Sequence, residues 1–449
     1  MPKISFMTLG CKLNYAETST YERGFVREGF EVVPPSGNPD ICLINTCTVT
    51  EHSDKKCRNL IRKMHRLNPD AAIVVTGCYA QMKRSEIEKI EGVRLVFGAD
   101  EKGQVVRTVT DYVRMLPDGI SRETQDTAHP GVMPYPRNND SSGPYRTAEI
   151  QDYADSGTMF PAYSSGERTR SFLKVQDGCD YKCSYCTVPY ARGESRSIPV
   201  AQAVAQAGEI AALGIREIVL TGVNTGDFGK STGETFLDLI RALNEVDGIE
   251  RYRISSIEPN LLTEEIVDWI ASGTKFLPHF HIPLQSGSDT VLKQMGRRYD
   301  TEAFAHKIEY IRSKMERPGG PKVFFGIDVI VGFPGETDGL FEETYRFLEQ
   351  RIRPAFIHVF PYSRRAGTPA AARKDQVQDS VKTARVERLE ELCRKLHDSF
   401  IEANRGVHER VLFESTDRNG MMSGYTGNYI RMERPYDPAL IGKITDIVI

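Results

Sequence analysis

The stretch QDGCDYKCSYC, residues 176–186, places Cys179, Cys183 and Cys186 in a C-x3-C-x2-C spacing on one short loop. It follows Phe172–Val175, a compact run that reads as a β-strand. A structural zinc site would need a fourth ligand to close its tetrahedron, and no nearby Cys or His supplies one. Downstream, strand-like runs recur at Glu217–Thr221, Arg251–Ser255, Phe280–Leu284, Val323–Val331 and Ile357–Phe360, each followed by a helical pattern. With Phe172–Val175 these make six, the count of a partial (β/α)6 barrel, whose ligand-binding residues stand at the C-terminal ends of the strands. Gly222 and Asn224, Ser255 and Glu258, and Asp328 ahead of Gly332–Glu336 occupy those ends. Each is also compatible with an ordinary turn or strand cap.

Upstream the pattern is β-α-β-α-β. Ile4–Leu9, Ile41–Asn45 and Ala72–Thr76 read as strands, with helices over Thr18–Glu28 and Lys55–Leu67. This order implies a parallel sheet with helices on its faces, so the chain is an α/β protein. Cys11, Cys47 and Cys78 each fall two residues beyond one of those strand runs. Parallel strands end on the same sheet edge, where ligands bind, so the three thiols are expected to converge. Three thiolates without a fourth suit a [4Fe–4S] cluster with one open iron. Cys42 lies inside a strand, while Cys57 and Cys393 lie on apolar helix stripes, so these three read as core thiols.

A chain of 449 residues exceeds one ordinary core. Residues 1–113 form the N-terminal cluster domain in this reading, 169–402 the barrel domain, and 403–449 a small β-barrel with strands at Val411–Glu414, Tyr429–Met432 and Ile444–Ile449. Residues 114–168 read as a linker or lid, being rich in Ser, Gly, Pro, Asp and Asn. No apolar run is long enough to span a bilayer, and the N-terminus carries no secretory pattern, so the expected location is cytoplasmic. Nine cysteines in that compartment point to thiols or metal ligands rather than disulfides. The net charge of −3 leaves any nucleic-acid surface local. The clearest basic patch is Lys55, Lys56, Arg58, Arg62, Lys63 and Arg66, a twelve-residue stretch without an acid. It reads either as an RNA-phosphate contact or as a solvated helix face.

The loop at Cys179, Cys183 and Cys186 resembles the cluster loop of the radical S-adenosylmethionine (SAM) superfamily. Together with TLGCKLN (residues 8–14), NTCTVT (45–50) and TGCYAQ (76–81), it resembles the methylthiotransferase family along almost the whole chain. That resemblance implies two [4Fe–4S] clusters, one on each cysteine triad. It implies SAM chelated by the unique iron of the second, with Tyr185, Gly222, Asn224, Ser255, Glu258 and Asp328 around it. The tail resembles a TRAM domain, an RNA-binding β-barrel. Within the family, TLGCKLN and NTCTVT look most like the branch acting on N6-threonylcarbamoyladenosine beside the tRNA anticodon. Branches acting on isopentenyladenosine or on ribosomal protein S12 are the alternatives, and a non-catalytic iron–sulfur RNA-binding protein is a further one. The implied partners are tRNA and an electron donor such as a flavodoxin or ferredoxin, with the chain a monomer and no membrane involved. The family's YSPRPGT stretch stands here as YSRRAGT, residues 362–368.

Overall fold

The computed structural model describes residues 1–115, 159–166 and 169–449. The expected linker or lid at 114–168 lies for the most part outside the described residues. The chain divides into two compact units. One comprises residues 1–164 with 177–179 and 187–197, and the other comprises 165–176, 180–186 and 198–449.

The first unit is built on five strands, β1 (Lys3–Thr8), β2 (Glu31–Val32), β3 (Ile41–Thr46), β4 (Ala72–Gly77) and β5 (Val93–Phe97). They form one parallel sheet in the order β2-β1-β3-β4-β5. Every residue of β3 and β4 is buried, the signature of strands covered on both faces. On one face are α1 (Lys12–Arg27) and on the other α2 (Glu51–Leu67). Cys42, Ile44, Ile73 and Val75 pack against Cys57, Ile61 and Met64 of α2. The alternate residues Ile41, Leu43 and Val74 pack against Tyr21 and Phe25 of α1. Cys42 and Cys57 are therefore core thiols. So is Cys393, buried on the helix Asp379–Glu402.

The second unit holds six parallel strands in two runs. Strands β7 (Arg170–Lys174), β10 (Glu217–Thr221) and β11 (Arg251–Ile254) pair in the order β11-β10-β7. Strands β12 (His279–Gln285), β13 (Phe324–Val331) and β14 (Phe356–Pro361) pair in the order β12-β13-β14. A bridge between Tyr252 and Phe276 lies between the two runs. Of the short strands before β10, β6 (Ala162–Tyr163) and β9 (Arg196–Ser197) belong to the first unit, while β8 (Gln176–Asp177) has one residue in each. Among the described residues, no helix is long and apolar enough to cross a membrane.

The C-terminal β domain consists of β15 (His408–Phe413), β16 (Met421–Tyr425), β17 (Arg431–Pro435) and β18 (Ile444–Val448), an antiparallel sheet in the order β17-β16-β15-β18. It docks on the N-terminal ends of the barrel strands. Tyr429, at a left-handed φ of 66°, sets its ring against His279 of β12, Phe324 of β13, and the guanidiniums of Arg170 on β7 and Arg253 on β11. Side chains from four strands meet one ring, so Tyr429 floors the barrel. Arg253 donates to the Thr426 and Gly427 carbonyls at 2.7 and 2.8 Å and to the Glu217 carboxylate at 2.8 Å. Arg251 reaches the other Glu217 oxygen at 2.7 Å. Burial alone would raise the Glu217 carboxyl, but Arg253, Arg251 and Arg170 together hold it below its ordinary range. Its contribution to stability is thus present at neutral pH and is lost only as the pH falls through that depressed value. Glu217→Ala leaves buried guanidiniums uncompensated, and it should cost about 3–5 kcal/mol in chemical denaturation at pH 7. A midpoint within error of wild type would remove Glu217 from the joint.

Candidate functional site

Cys11 is the N-cap of α1, three residues beyond β1. Cys47 and Cys78 follow β3 and β4 directly, and Cys78 opens the short helix α3 (Cys78–Met82). The three offsets are therefore unequal, yet the thiols share one sheet edge. Cys11 and Cys78 both act electrostatically on Cys47. The polar residues of the three motifs stitch the loops together. Asn14 Nδ2 donates to the Leu9 carbonyl at 2.8 Å and the Thr46 carbonyl at 3.0 Å, tying the end of β1 to that of β3. Thr46 Oγ1 donates to the Thr76 carbonyl at 2.6 Å and accepts from the Ala80 N–H at 3.3 Å, tying β3 to β4. Gly10 and Gly77 adopt φ of +119° and +102°. A Cβ on Gly10 would lie 2.9 Å from Cys47 Cβ, and one on Gly77 would lie 2.3 Å from the Thr46 carbonyl, so only glycine lets these loops approach. Burial pushes the Cys47 thiol up to about 12. A thiolate there needs a cationic partner, which iron supplies, so the residues fit a cluster.

Beneath this edge lies a buried charge network that the sequence did not reveal. Lys102 Nζ is 2.8 Å from Glu17 Oε1, and Arg192 donates to Asp177 Oδ1 at 2.8 Å, Glu17 Oε1 at 3.3 Å and Asn14 Oδ1 at 2.6 Å. All of these side chains are buried. Arg192 comes from the helix Val188–Arg192, and the same 187–197 segment carries the Gly193 carbonyl that accepts the Cys179 N–H at 3.1 Å. Isolated charges of this kind give no periodic signal, and their partners are distant in sequence.

In the second unit, Cys183 Sγ accepts from the Arg297 guanidinium at 3.2 Å, and the Cys186 N–H donates to the Cys183 carbonyl at 3.1 Å. Arg297 also pairs with the Glu258 carboxylate. Burial raises the Glu258 carboxyl, with Arg297 acting in the opposite sense. The Glu258 N–H donates to Asn224 Oδ1 at 3.3 Å, and the Asn224 N–H to Gln176 Oε1 at 2.9 Å. Gly222 lies so close that an added Cβ would stand 2.9 Å from that Gln176 oxygen. Tyr185 packs on Val291, Met295, Phe333 and Tyr362. Asn224 Nδ2 and Ser255 Oγ are buried at strand ends without protein partners. Such orphaned groups fit a polar ligand like SAM. Asp328 Oδ1 meets His281 Nε2 at 2.7 Å and acts electrostatically on Glu258. Arg297, Gln176 and His281 were not among the residues singled out from the sequence.

Of the expected basic patch, Lys55, Lys56, Arg62, Lys63 and Arg66 are exposed on α2. Arg58 is partly buried and donates to the Tyr79 hydroxyl at 2.9 Å, which gives it a structural attachment beside Cys78.

Residues 173–348 match the model of the Radical SAM superfamily, and residues 3–98 match Uncharacterized protein family UPF0004. The fold is shared with a solved radical SAM methyltransferase, TsrM from Kitasatospora setae (TM-score 0.54, 17% identity, covering 83% of this chain and 74% of that one). Fold, cysteine loop and match define a radical SAM enzyme, and with it one [4Fe–4S] cluster and SAM. Over its whole length the chain is 37% identical to the threonylcarbamoyladenosine tRNA methylthiotransferase of Bacillus subtilis, covering 94% of that protein. It is 35% identical to the Aquifex aeolicus protein of the same name, covering 100% of both chains. It is 32% identical to the tRNA-2-methylthio-N(6)-dimethylallyladenosine synthase of Wolbachia pipientis, covering 94% of this chain and 89% of that one. The chain belongs to the family of radical SAM tRNA methylthiotransferases and is a transferase.

Proposed function

We propose that this enzyme converts N6-threonylcarbamoyladenosine beside the tRNA anticodon to its 2-methylthio derivative. The observation that carries the reading is full-length similarity to relatives bearing that name, at 33–37% identity in three of them. Cys179, Cys183 and Cys186 hold the radical cluster, and Gly222, Asn224, Ser255, Glu258 and Asp328 line the SAM side, with Tyr185 packed behind the loop. Cys11, Cys47 and Cys78 hold a second [4Fe–4S] cluster. When bound, the radical cluster and SAM supply the radical needed to activate an inert aromatic C–H bond. The protein's part is to hold the ligands and fix the loops, through Asn14 and Thr46 at one bed and Arg297 at Cys183 in the other. Residues 1–113 serve as the auxiliary-cluster domain, 169–402 as the radical domain, and 403–449 as an RNA-binding domain. The enzyme works in the cytoplasm as a monomer, with a flavodoxin or ferredoxin as electron donor. Anaerobic incubation of reconstituted enzyme with SAM, reductant and tRNA carrying N6-threonylcarbamoyladenosine should give the 2-methylthio nucleoside on digestion. Product only from dimethylallyl-modified tRNA would favour the second branch.

The exposed face of α2 contacts tRNA phosphates, since its cations stand a few residues after Cys47 and, among the described residues, none has a bond like that of Arg58 to Tyr79. Phosphate contacts position RNA without reading its sequence. Arg62, Lys63 and Arg66 changed together to Gln should weaken all tRNAs alike. The log–log salt slope should flatten by about 0.9 for each duplex phosphate no longer neutralised, or by about 0.7 for each single-stranded one. An unaltered slope would leave α2 a solvated surface.

A further inference from the structure

Strand β14 ends at Pro361, and the chain continues over the C-terminal ends of the barrel strands, where ligand-binding residues gather. The Tyr362 N–H donates to the carbonyl of Val331, the last residue of β13, at 2.8 Å. Its buried ring joins Val291, Met295, Phe333 and Ala370 in one cluster, on which Tyr185 of the cysteine loop packs. The helix Pro369–Ala372 meets that loop directly, because the Ala370 N–H donates to the carbonyl of Ser184, between Cys183 and Cys186, at 2.9 Å. Arg364 is tied to the same helix by one bond, from Nε to the Ala371 carbonyl at 2.8 Å. Arg364 is exposed, while Arg365 beside it is buried. The bond on Nε fixes the guanidinium and leaves its Nη1/Nη2 fork without a hydrogen bond or ion pair among the described residues. The neighbouring cations are engaged. Arg373 is held by Asp375 and Gln294, Lys382 by Asp379, and Arg297 by Glu258. A free fork of this kind matches a carboxylate or a phosphate with two parallel bonds. On the same strand, Phe360 lies on the face opposite buried Ile357 and is 45% exposed, a surface on which a base can stack.

We propose that Arg364 is a specificity residue that receives the carboxylate of the threonylcarbamoyl arm on its Nη1/Nη2 fork. This deepens the proposed function and rests on it. The reacting adenine has to reach the radical formed at the cysteine loop, so the arm on that same base ends among residues bonded to the loop. Arg364 is such a residue, two hydrogen bonds removed from Ser184 through the helix Pro369–Ala372. A threonylcarbamoyl arm ends in a carboxylate, which the fork meets with two charge-assisted bonds. A dimethylallyl arm is hydrocarbon and would strip water from the guanidinium while returning no bond. The Nε tether holds the fork in place beforehand, so little side-chain freedom is lost when the carboxylate arrives.

The test uses reconstituted full-length enzyme and two threonylcarbamoyl tRNAs, one with the arm as the free acid and one with its carboxylate blocked as the methyl ester. Iron content is the check on folding. Wild type should show a kcat/KM about 100-fold lower on the ester, the worth of a charge-assisted hydrogen bond. Arg364→Gln should lose a similar factor on the free acid and little on the ester, so that it no longer tells the two apart. Arg364→Lys, which keeps the charge without the fork, should recover part of the loss. Wild-type product only from dimethylallyl-modified tRNA would sink the proposed function itself. A preference for the free acid that survives Arg364→Gln would overturn the role of Arg364 alone. An equal loss on both tRNAs, with a flatter salt dependence, would put the fork on a phosphate and overturn it as well. So would loss of tRNA-free SAM cleavage in a variant with full iron, which would place Arg364 at SAM.

Discussion

Changing Cys179, Cys183 and Cys186 together to Ala abolishes reductive SAM cleavage and halves the iron, from about eight per chain to about four, on the basis of two cubanes. The loop gives no substitute thiolate. Among the described residues the other cysteines are the first triad and three core thiols, of which Cys393 accepts the Ile357 N–H at 3.2 Å from within its helix packing. The variant should remain folded. Cys183 and Cys186 sit in a turn closed by their own backbone bond, and the Arg297–Glu258 pair persists without the sulfur. Iron analysis and 5′-deoxyadenosine formation are the readouts. Full iron in the triple variant would show that the loop is not a cluster site.

The second large effect separates the two beds. Replacing Cys11, Cys47 and Cys78 with Ala should leave tRNA-free SAM cleavage intact while methylthio transfer falls on the order of 10³-fold or more, equivalent to about 4 kcal/mol in the barrier. The stitches that shape this edge, through Asn14, Asn45 and Thr46, use no sulfur. Neither does the Arg192–Asp177–Glu17–Lys102 network beneath it. The loop next to Cys179, anchored by its N–H bond to Gly193, should thus keep its shape. Loss of 5′-deoxyadenosine in a well-folded variant would contradict separate roles.

That Cys11, Cys47 and Cys78 share one sheet edge was legible because their positions relative to the strands carry the information. Strands β3 and β4 announce themselves by unbroken apolar runs, and Glu217–Thr221 was read to the residue. The start of α1 was missed by six residues, since KLNYAE shows no apolar period and Cys11, at the N-cap position, makes no side-chain capping bond. In the tail, β16 was missed. Its sequence MMSGY contains Gly424, where a Cβ would stand 2.5 Å from the Leu412 carbonyl, so close strand approach took the place of apolar alternation. The run expected to start a strand at Tyr429 is instead the turn that floors the barrel, and β17 begins at Arg431. The buried charges were the least legible. Arg192, Lys102, Glu217 and Arg253 carry no signal of burial in the sequence until a partner tens of residues away is placed beside them. The His281–Asp328 contact escaped for the same reason, because adjacent strands and not one motif bring the two together.

The central claim is that this enzyme methylthiolates N6-threonylcarbamoyladenosine in tRNA. Nucleoside mass spectrometry of total tRNA from cells lacking the gene tests it most directly. The 2-methylthio-N6-threonylcarbamoyladenosine signal should vanish, its unmethylthiolated precursor should accumulate, and the gene returned in trans should restore the product. An unchanged 2-methylthio-N6-threonylcarbamoyladenosine signal, with loss instead of the dimethylallyl derivative or of a modification on ribosomal protein S12, would contradict it.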